Sequence, residues 1–333
     1  MQRYKNLPVL ITGGLGFIGS NLAIKLFEEG ARVTVLDSSI EGCGANVFNL
    51  APIRDRISII DHDMAEARAF APVIRDARVI FNIAGEISHI NSMHQPERDL
   101  NLNTVAQLRF LMECTASNPG VRVVYASTRQ IYGVPNQLPV DEDHPIQPVD
   151  YNGVHKYATS QYHAMLARTG ALDTVTLRLT NVYGPRMALR LPAQGFLSTF
   201  LRRLLLHQPL EIFGDGEQLR DPVFVDDAVE AFLIAGSKPR VASRVYNIGG
   251  PGHLSLNQIA LISSEAAGVA APSRRPFPGE IRAIDIGSYY TDSSRAAREL
   301  DWTPRVIFAE GIRRTLDYYR ANLPHYLDRV SAT

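Results

Sequence analysis

Three glycines spaced Gly13-x-x-Gly16-x-x-Gly19 stand between an apolar run, Val9–Thr12, and a segment in which Ile18, Leu22 and Leu26 recur at helical spacing. In that setting each glycine has its own task. Gly13 permits a tight turn, Gly16 lets backbone approach a pyrophosphate, and Gly19 lets the helix pack closely on a sheet. Free N–H groups at the helix start, with the positive end of its dipole, then face the phosphates. Asp37 closes the next apolar run, Val33–Asp37, eighteen residues after Gly19. A carboxylate there accepts hydrogen bonds from an adenosine ribose and repels a 2′-phosphate. The chemistry expected is binding of NAD in preference to NADP.

The rest of the composition limits what else the chain can do. Lys+Arg and Asp+Glu both number 34, so no basic excess draws in nucleic acid or an anionic membrane. An anionic ligand must be held by local groups. Cys43 and Cys114 lie far apart with no CxxC spacing, which speaks against a disulfide framework or a metal site. Free thiols, no apolar signal core between Met1 and Pro8, and no run long enough to span a bilayer point to the cytoplasm.

The elements that must position the glycines and Asp37 alternate along the first half. Strands are expected at Val9–Thr12, Val33–Asp37, Ile57–Asp61, Val79–Ala84, Val121–Ser127 and Val175–Leu179. Gly30 is placed to stop the first helix, Arg98–Ala116 reads as one long helix, and another starts near Tyr151 and carries Lys156. Strands separated by helices imply right-handed crossovers and a doubly wound α/β fold with a parallel sheet. From about Pro185 the pattern changes to a helix at Gly195–Leu206, a strand at Leu210–Phe213, a helix opened by Val225-Asp226-Asp227 and a strand at Val245–Ile248. Helices at Leu256–Ala267 and Phe308–Asn322 come later, with a Pro-rich stretch between them. The expected division is a nucleotide-binding domain over 1–185 and a smaller C-terminal α/β substrate lobe over 186–333, partly discontinuous, with later segments returning to the first domain.

The glycine spacing, with Gly16-Phe17-Ile18-Gly19, resembles the extended short-chain dehydrogenase/reductase superfamily and its NAD-dependent nucleotide-sugar epimerases and dehydratases. The resemblance runs along nearly the whole chain. It implies that Asp63-Met64 lies by the adenine, that Ile83-Ala84-Gly85 passes under the nicotinamide half, and that Asn101 steadies the active site from the long helix. Ser127-Thr128-Arg129-Gln130-Ile131-Tyr132-Gly133 resembles the segment whose catalytic hydroxyl lies four residues before the Tyr-Gly pair, which assigns that role to Thr128. Lys156 matches the lysine that fixes the nicotinamide ribose and lowers the pKa of a neighbouring base.

Its usual partner is a tyrosine four residues earlier. Here that position is Asn152, and Tyr151 lies five before, turned about 140° from the lysine's face of a regular helix. Tyr151 serves as the base if the first turn is loosened at Gly153; otherwise His155, His89 or Glu86 are the substitutes. On the substrate side the resemblance assigns Ser127, Thr128, Asn181, Arg186, Arg220 and Arg282 to the sugar and its diphosphate, and Gln194 and Phe196 to the nucleobase. A core helix start accounts equally well for those last two.

Dehydratases of this kind carry an Asp-Glu pair directly after the catalytic hydroxyl, and decarboxylases a Glu where Gln130 stands. This chain has Arg129-Gln130. The reaction expected is therefore epimerisation of a nucleotide-diphosphate sugar at C4 through a transient 4-keto intermediate. A sugar-nucleotide oxidase, dehydratase or decarboxylase with a non-tyrosine base, or a non-catalytic NAD-binding protein, are the alternatives. The resemblance also implies a homodimer through the long helix and the helix carrying Lys156.

Overall fold

The computed structural model describes residues 3–190, 195–279, 282 and 284–327. Seven strands form one sheet: β1 Pro8–Thr12, β2 Arg32–Asp37, β3 Ser58–Asp61, β4 Val79–Asn82, β5 Arg122–Thr128, β6 Asp173–Leu179 and β7 Val245–Ile248. Their order is β7-β6-β5-β4-β1-β2-β3, and every pairing is parallel. A parallel sheet has helices on both faces, so its strands read as unbroken apolar runs. Val9, Leu10, Ile11, Ile80, Phe81, Val123 and Val124 are all buried accordingly.

The chain winds one way from β1 to β3 and then crosses to β4, so strand order reverses between β1 and β4. That reversal opens a crevice beyond the carboxyl ends of the two strands. The register Thr12↔Asn82 brings those ends level.

Helix α1, Phe17–Glu28, seats Leu22 and Leu26 in the core and stops ahead of Gly30, whose φ of +81° a side chain would resist. The predicted single helix Arg98–Ala116 is helical from Pro96 to Ser117 but not uniform. A turn of Pro96–Leu100 opens into a wide π turn, Asn101–Val105, before α2, Ala106–Ser117. Helix α3, Tyr151–Arg168, begins at an orthodox cap: the Gly153 N–H donates to Asp150 Oδ1 at 2.7 Å.

From Val182 onward the described chain forms short strand pairs and helices that include Phe196–Leu205, Leu256–Ala267, Ser294–Leu300 and Phe308–Asn322. Val182–Tyr183 pairs with Val223–Phe224, Leu219–Arg220 with Leu254–Ser255, and Glu211–Phe213 with Ser273–Arg275. The last strand arises inside the Pro-rich stretch, where sequence offered no strand. Helix α4, Val225–Ser237, and β7 return to the nucleotide-binding half, α4 packing on α1 and β7 adding the seventh strand. The Tyr319 hydroxyl donates to Met187 O at 2.8 Å, tying the last long helix to the segment after Pro185, and Trp302 Nε1 donates to Asp227 O on α4 at 2.9 Å. Among the described residues no helix is long and apolar enough to cross a membrane.

Candidate active site

The turn after β1 is built around steric absence. A Cβ on Gly19 would fall 2.2 Å from Gly13 O, and one on Gly13 2.8 Å from Ala84 Cα. A Cβ on Gly16 would meet only Gly13 O, at 3.3 Å, so its bare side faces the crevice. Asp37 is held at the end of β2 by two backbone donors, Leu15 N–H to Oδ2 and Ser39 N–H to Oδ1, each at 3.0 Å. Burial nevertheless pushes its pKa up. Gly13, Gly16, Phe17, Ile18, Gly19, Asp37, Asp63, Met64, Ile83, Ala84 and Gly85 line one cavity at the reversal point. Asp63 also caps the next turn, accepting from Ala65 N–H at 2.8 Å.

The floor of the cavity is fixed by a buried relay. The Thr12 hydroxyl donates to Asn82 Oδ1 at 2.9 Å and accepts from the N–H groups of Ile83 and Ala84. Asn82 Nδ2 donates to Gln107 Oε1 at 2.7 Å, and Gln107 Nε2 to Ala84 O at 2.8 Å. A dinucleotide fits this donor set: a glycine cradle at a helix start, a carboxylate at the end of β2, and an apolar floor. NAD would be held by these residues and would supply the means to accept and return a hydride.

Asn101 corrects one expectation. It is exposed on the wide turn, and Asn103 takes the inward position instead. Asn103 Nδ2 donates to Glu86 O at 3.2 Å. A Cβ on Gly85 would lie 2.6 Å from Asn103 Oδ1 and 3.0 Å from Lys156 Nζ, so these three meet. A π turn holds extra residues per turn and rotates the helix beyond it; regular helical spacing cannot reveal that. Burial lowers the Lys156 pKa, with Asp99 and Glu86 opposing the shift.

At the end of β5, Thr128 is half-buried and its Oγ1 accepts from Gln130 N–H at 3.1 Å, opening the turn Arg129–Tyr132. Ser127 points the other way, as alternate strand residues must. Its Oγ lies 3.1 Å from Ser160 Oγ in the interface with α3, so it ties strand to helix.

Tyr151 is a second correction. Helix α3 starts in regular geometry, and Tyr151 is 44% exposed with its ring stacked 6.2 Å from His155. It belongs to an outward stripe with Val154 and Met165, also exposed. Asn152 takes the inward position. It is buried; Nδ2 donates to Glu86 O at 3.0 Å and to Asp99 Oδ2 at 2.9 Å, and its Oδ1 is enclosed without a protein partner.

At and around the turn after β5 lies a concentration of buried polar atoms without protein partners: Arg129 Nη1, Asn181 Oδ1, Gln218 Oε1, Asp221 Oδ1, the Tyr289 hydroxyl and Thr291 Oγ1. Folded proteins pair nearly all such atoms, so a cluster of exceptions marks a place built for a polar ligand. The atoms sit together. The Arg129 guanidinium lies over the Tyr289 ring at 4.8 Å, Thr291 N–H donates to Asp221 Oδ2 at 2.9 Å, and Gln218 reaches Asp285 at 3.3 Å. Arg220 lies 3.6 Å from Asp285 and donates to Leu219 O and Gly287 O. Burial, and then the neighbouring Arg129, bring the Arg220 pKa down to about 10; burial pushes the Asp221 carboxyl up to about 7.

Other expected substrate residues fall elsewhere. Arg186 turns toward the nucleotide-binding half, donating to Asn49 O at 3.1 Å and Asn21 Oδ1 at 2.8 Å, with Tyr318 beneath it. Its φ of +76° turns the side chain into this interdomain role. Phe196 packs edge-on against Phe200 at 5.5 Å, the behaviour of a core helix start. Arg282 is exposed, and Gln194 lies outside the described residues. Sequence reasoning missed Asn103, Asp221, Gln218 and Tyr289. Asp221 alone carried a signal, its place directly after Arg220.

A reversal-point crevice with a glycine cradle, an inward lysine and a strand-end threonine defines an NAD-binding enzyme of the extended short-chain dehydrogenase type. A profile of the NAD dependent epimerase/dehydratase family matches residues 9–249, and the chain belongs to that family. It is 34% identical over 317 residues to a UDP-glucose 4-epimerase of Mycolicibacterium smegmatis, covering 94% of this chain and 99% of that one. It is 31% identical over 328 residues to UDP-glucuronic acid decarboxylase 1 of Xenopus tropicalis, covering 95% of this chain and 73% of that one. The crystal structure of a UDP-glucose 4-epimerase from Thermotoga maritima with UDP-glucose superposes with a TM-score of 0.86 at 30% identity, covering 95% of this chain and 99% of that one.

Proposed function

We propose that the protein is an NAD-dependent epimerase of a nucleotide-diphosphate sugar, inverting C4 through a transient 4-keto intermediate. The observation that carries this reading is the cluster of buried polar atoms on Arg129, Asn181 and Gln218, with Arg220 beside it, gathered at the turn that begins directly after Thr128. A diphosphate supplies what such a cluster lacks, since guanidinium groups give it charge-assisted bonds in a chain of zero net charge. The names of the relatives point to sugars carried on UDP.

The turn after Thr128 supports epimerisation over elimination. Arg129 and Gln130 themselves bring no carboxyl group, and the Asp150 carboxylate beside them is held by Gln130 Nε2 at 3.0 Å and Gly153 N–H at 2.7 Å. Thr128 is placed to hydrogen-bond the reacting oxygen as alcohol and as ketone. Lys156, with Asn103 beside it, orients the ribose bearing the nicotinamide. One observation favours a second reading, an NAD-binding protein without turnover: Asn152 stands where a tyrosine is expected.

A homodimer is supported by the exposed apolar side chains Leu100, Met112, Val154 and Met165 on the two long helical segments. The free thiols Cys43 and Cys114 support a cytoplasmic setting.

Product analysis by NMR after incubation with a panel of UDP- and dTDP-sugars tests the reading. The C4 epimer as sole product, without accumulating NADH, is expected. Release of water or carbon dioxide, or stoichiometric NADH, would replace epimerisation with dehydration, decarboxylation or oxidation. Binding without any product would favour the second reading.

A further inference from the structure

Oxidation of a secondary alcohol needs an acceptor for the hydroxyl proton, and Tyr151 faces away. One other basic side chain lies on the segment that leads out of the cofactor cavity. His89 comes directly after Gly85–Ile87, the run that lines the cofactor cavity, and Ser88, and it opens the short helix His89–His94. Its Nδ1 lies 2.9 Å from Asp150 Oδ2, the ring tilted off the ideal hydrogen-bond line. Asp150 is enclosed and cannot turn away, because Gly153 N–H holds one oxygen at 2.7 Å and Gln130 Nε2 the other at 3.0 Å. Burial alone would raise its pKa, yet His89, Gly153 and Gln130 hold it below the usual carboxylate range.

With the Asp150 carboxylate 2.9 Å from Nδ1, Nε2 on the opposite side of the ring is the nitrogen left to take a substrate proton. The His89 side chain is one-third exposed, enough for a ligand to reach it. The pair is tied to both neighbours of the missing tyrosine. Asn152 N–H donates to Ser92 Oγ at 3.3 Å on the His89 helix, and Gln130, which grips Asp150, also donates its N–H to Thr128 Oγ1 at 3.1 Å.

The rival bases are less accessible. Glu86 is paired with Arg98 at 2.9 Å and accepts the N–H groups of Ile87 and Ser88; His155 also has a carboxylate on Nδ1, Asp99 at 2.7 Å, but its side chain is 11% exposed where that of His89 is 34%.

We propose that His89, oriented by Asp150, is the catalytic proton acceptor in place of the family's tyrosine. The inference rests on the epimerase reading. In the forward step the hydroxyl proton passes to His89 Nε2 while the carbinol hydrogen leaves with its electron pair for the nicotinamide, and the C–O bond becomes a carbonyl. In the return step the hydride re-enters from the other face and the imidazolium gives its proton back to the oxygen. Nothing is consumed. Asp150 is the charged group in contact with the ring and stabilises the imidazolium.

The test uses full-length protein loaded with NAD and the sugar nucleotide found by product analysis, as wild type, His89→Gln and Asp150→Asn. Thermal unfolding and NAD binding establish that each variant is folded. The readouts are kcat and KM against pH, with NMR titration of the His89 ring. His89→Gln should lower kcat about 10²-fold or more with little change in KM, and remove the acid limb of the profile. Asp150→Asn should also lower kcat with little change in KM, by less than His89→Gln does. A His89→Gln enzyme with wild-type kcat and an intact acid limb overturns the proposal and leaves the epimerase reading standing. Wild type that binds both ligands yet turns over no sugar nucleotide at any pH overturns both.

Discussion

The two walls of the candidate site are made by different means. On the cofactor side backbone dominates: glycines with no room for a Cβ, N–H groups aimed from a helix start, and a relay of Thr12, Asn82 and Gln107 whose polar atoms are all paired. On the substrate side long side chains from β5, short strands and loops converge, and many of their buried atoms have no protein partner. A paired wall is a rigid mould for one cofactor. An unpaired wall holds its cost until a ligand of matching charge arrives, and so sets which ligand is accepted.

The largest effect expected is on the unpaired wall. Arg220→Ala should weaken sugar-nucleotide binding about 10²-fold or more, as truncation of a buried charged partner does, while NAD affinity stays unchanged. Calorimetry with each ligand separately checks this, and a parallel loss of NAD binding would mean that the two walls are not independent. On the paired wall, Asp37→Ala should cost NAD about 10-fold in affinity through lost charge-assisted hydrogen bonds and should narrow its advantage over NADP. Wild type that binds NADP as tightly as NAD would remove Asp37 from the ribose.

A smaller effect concerns pH. Asp221, raised to about 7 by burial, is protonated below that value and carries a negative charge beside Arg129 above it. A sugar diphosphate keeps its charge through this range, so its affinity should rise several-fold as pH falls through about 7, and Asp221→Asn should flatten the profile. The same shift sets a stability trend. The neutral carboxyl is favoured by the fold, so its contribution is complete below the unfolded pKa of about 4 and is lost as pH rises through about 7. Unchanged affinity between pH 6 and 8 would mean that Asp221 does not sense the ligand. The smallest effect is none at all: Tyr151→Phe should leave kcat within about twofold, where a general base would cost about 10²-fold.

The paired wall was legible in sequence because its determinants are local. A strand, a glycine turn, a helix and an acidic residue at a fixed distance are all read along the chain, and so was the doubly wound parallel sheet, but not its strand order or the addition of Val245–Ile248 as its edge. The unpaired wall depends on contacts across more than sixty positions, such as Arg129 over Tyr289 or Gln218 on Asp285, which no spacing rule reports. One local irregularity also escaped: the π turn at Asn101–Val105 exchanged Asn101 for Asn103. The start of α3 is regular, and that keeps Tyr151 outside as the helical spacing alone implies. Arg186 and Ser127 had the right type for a substrate contact but are used to hold the two halves, or strand and helix, together.

That the hydride is borrowed and returned within one crevice is the central claim, and a sugar nucleotide deuterated at C4 tests it directly. NMR of the product should show the C4 epimer with deuterium retained at C4 and no NADH accumulating. Deuterium lost to solvent, a product lacking water or carbon dioxide, or recovery of unchanged substrate would contradict it.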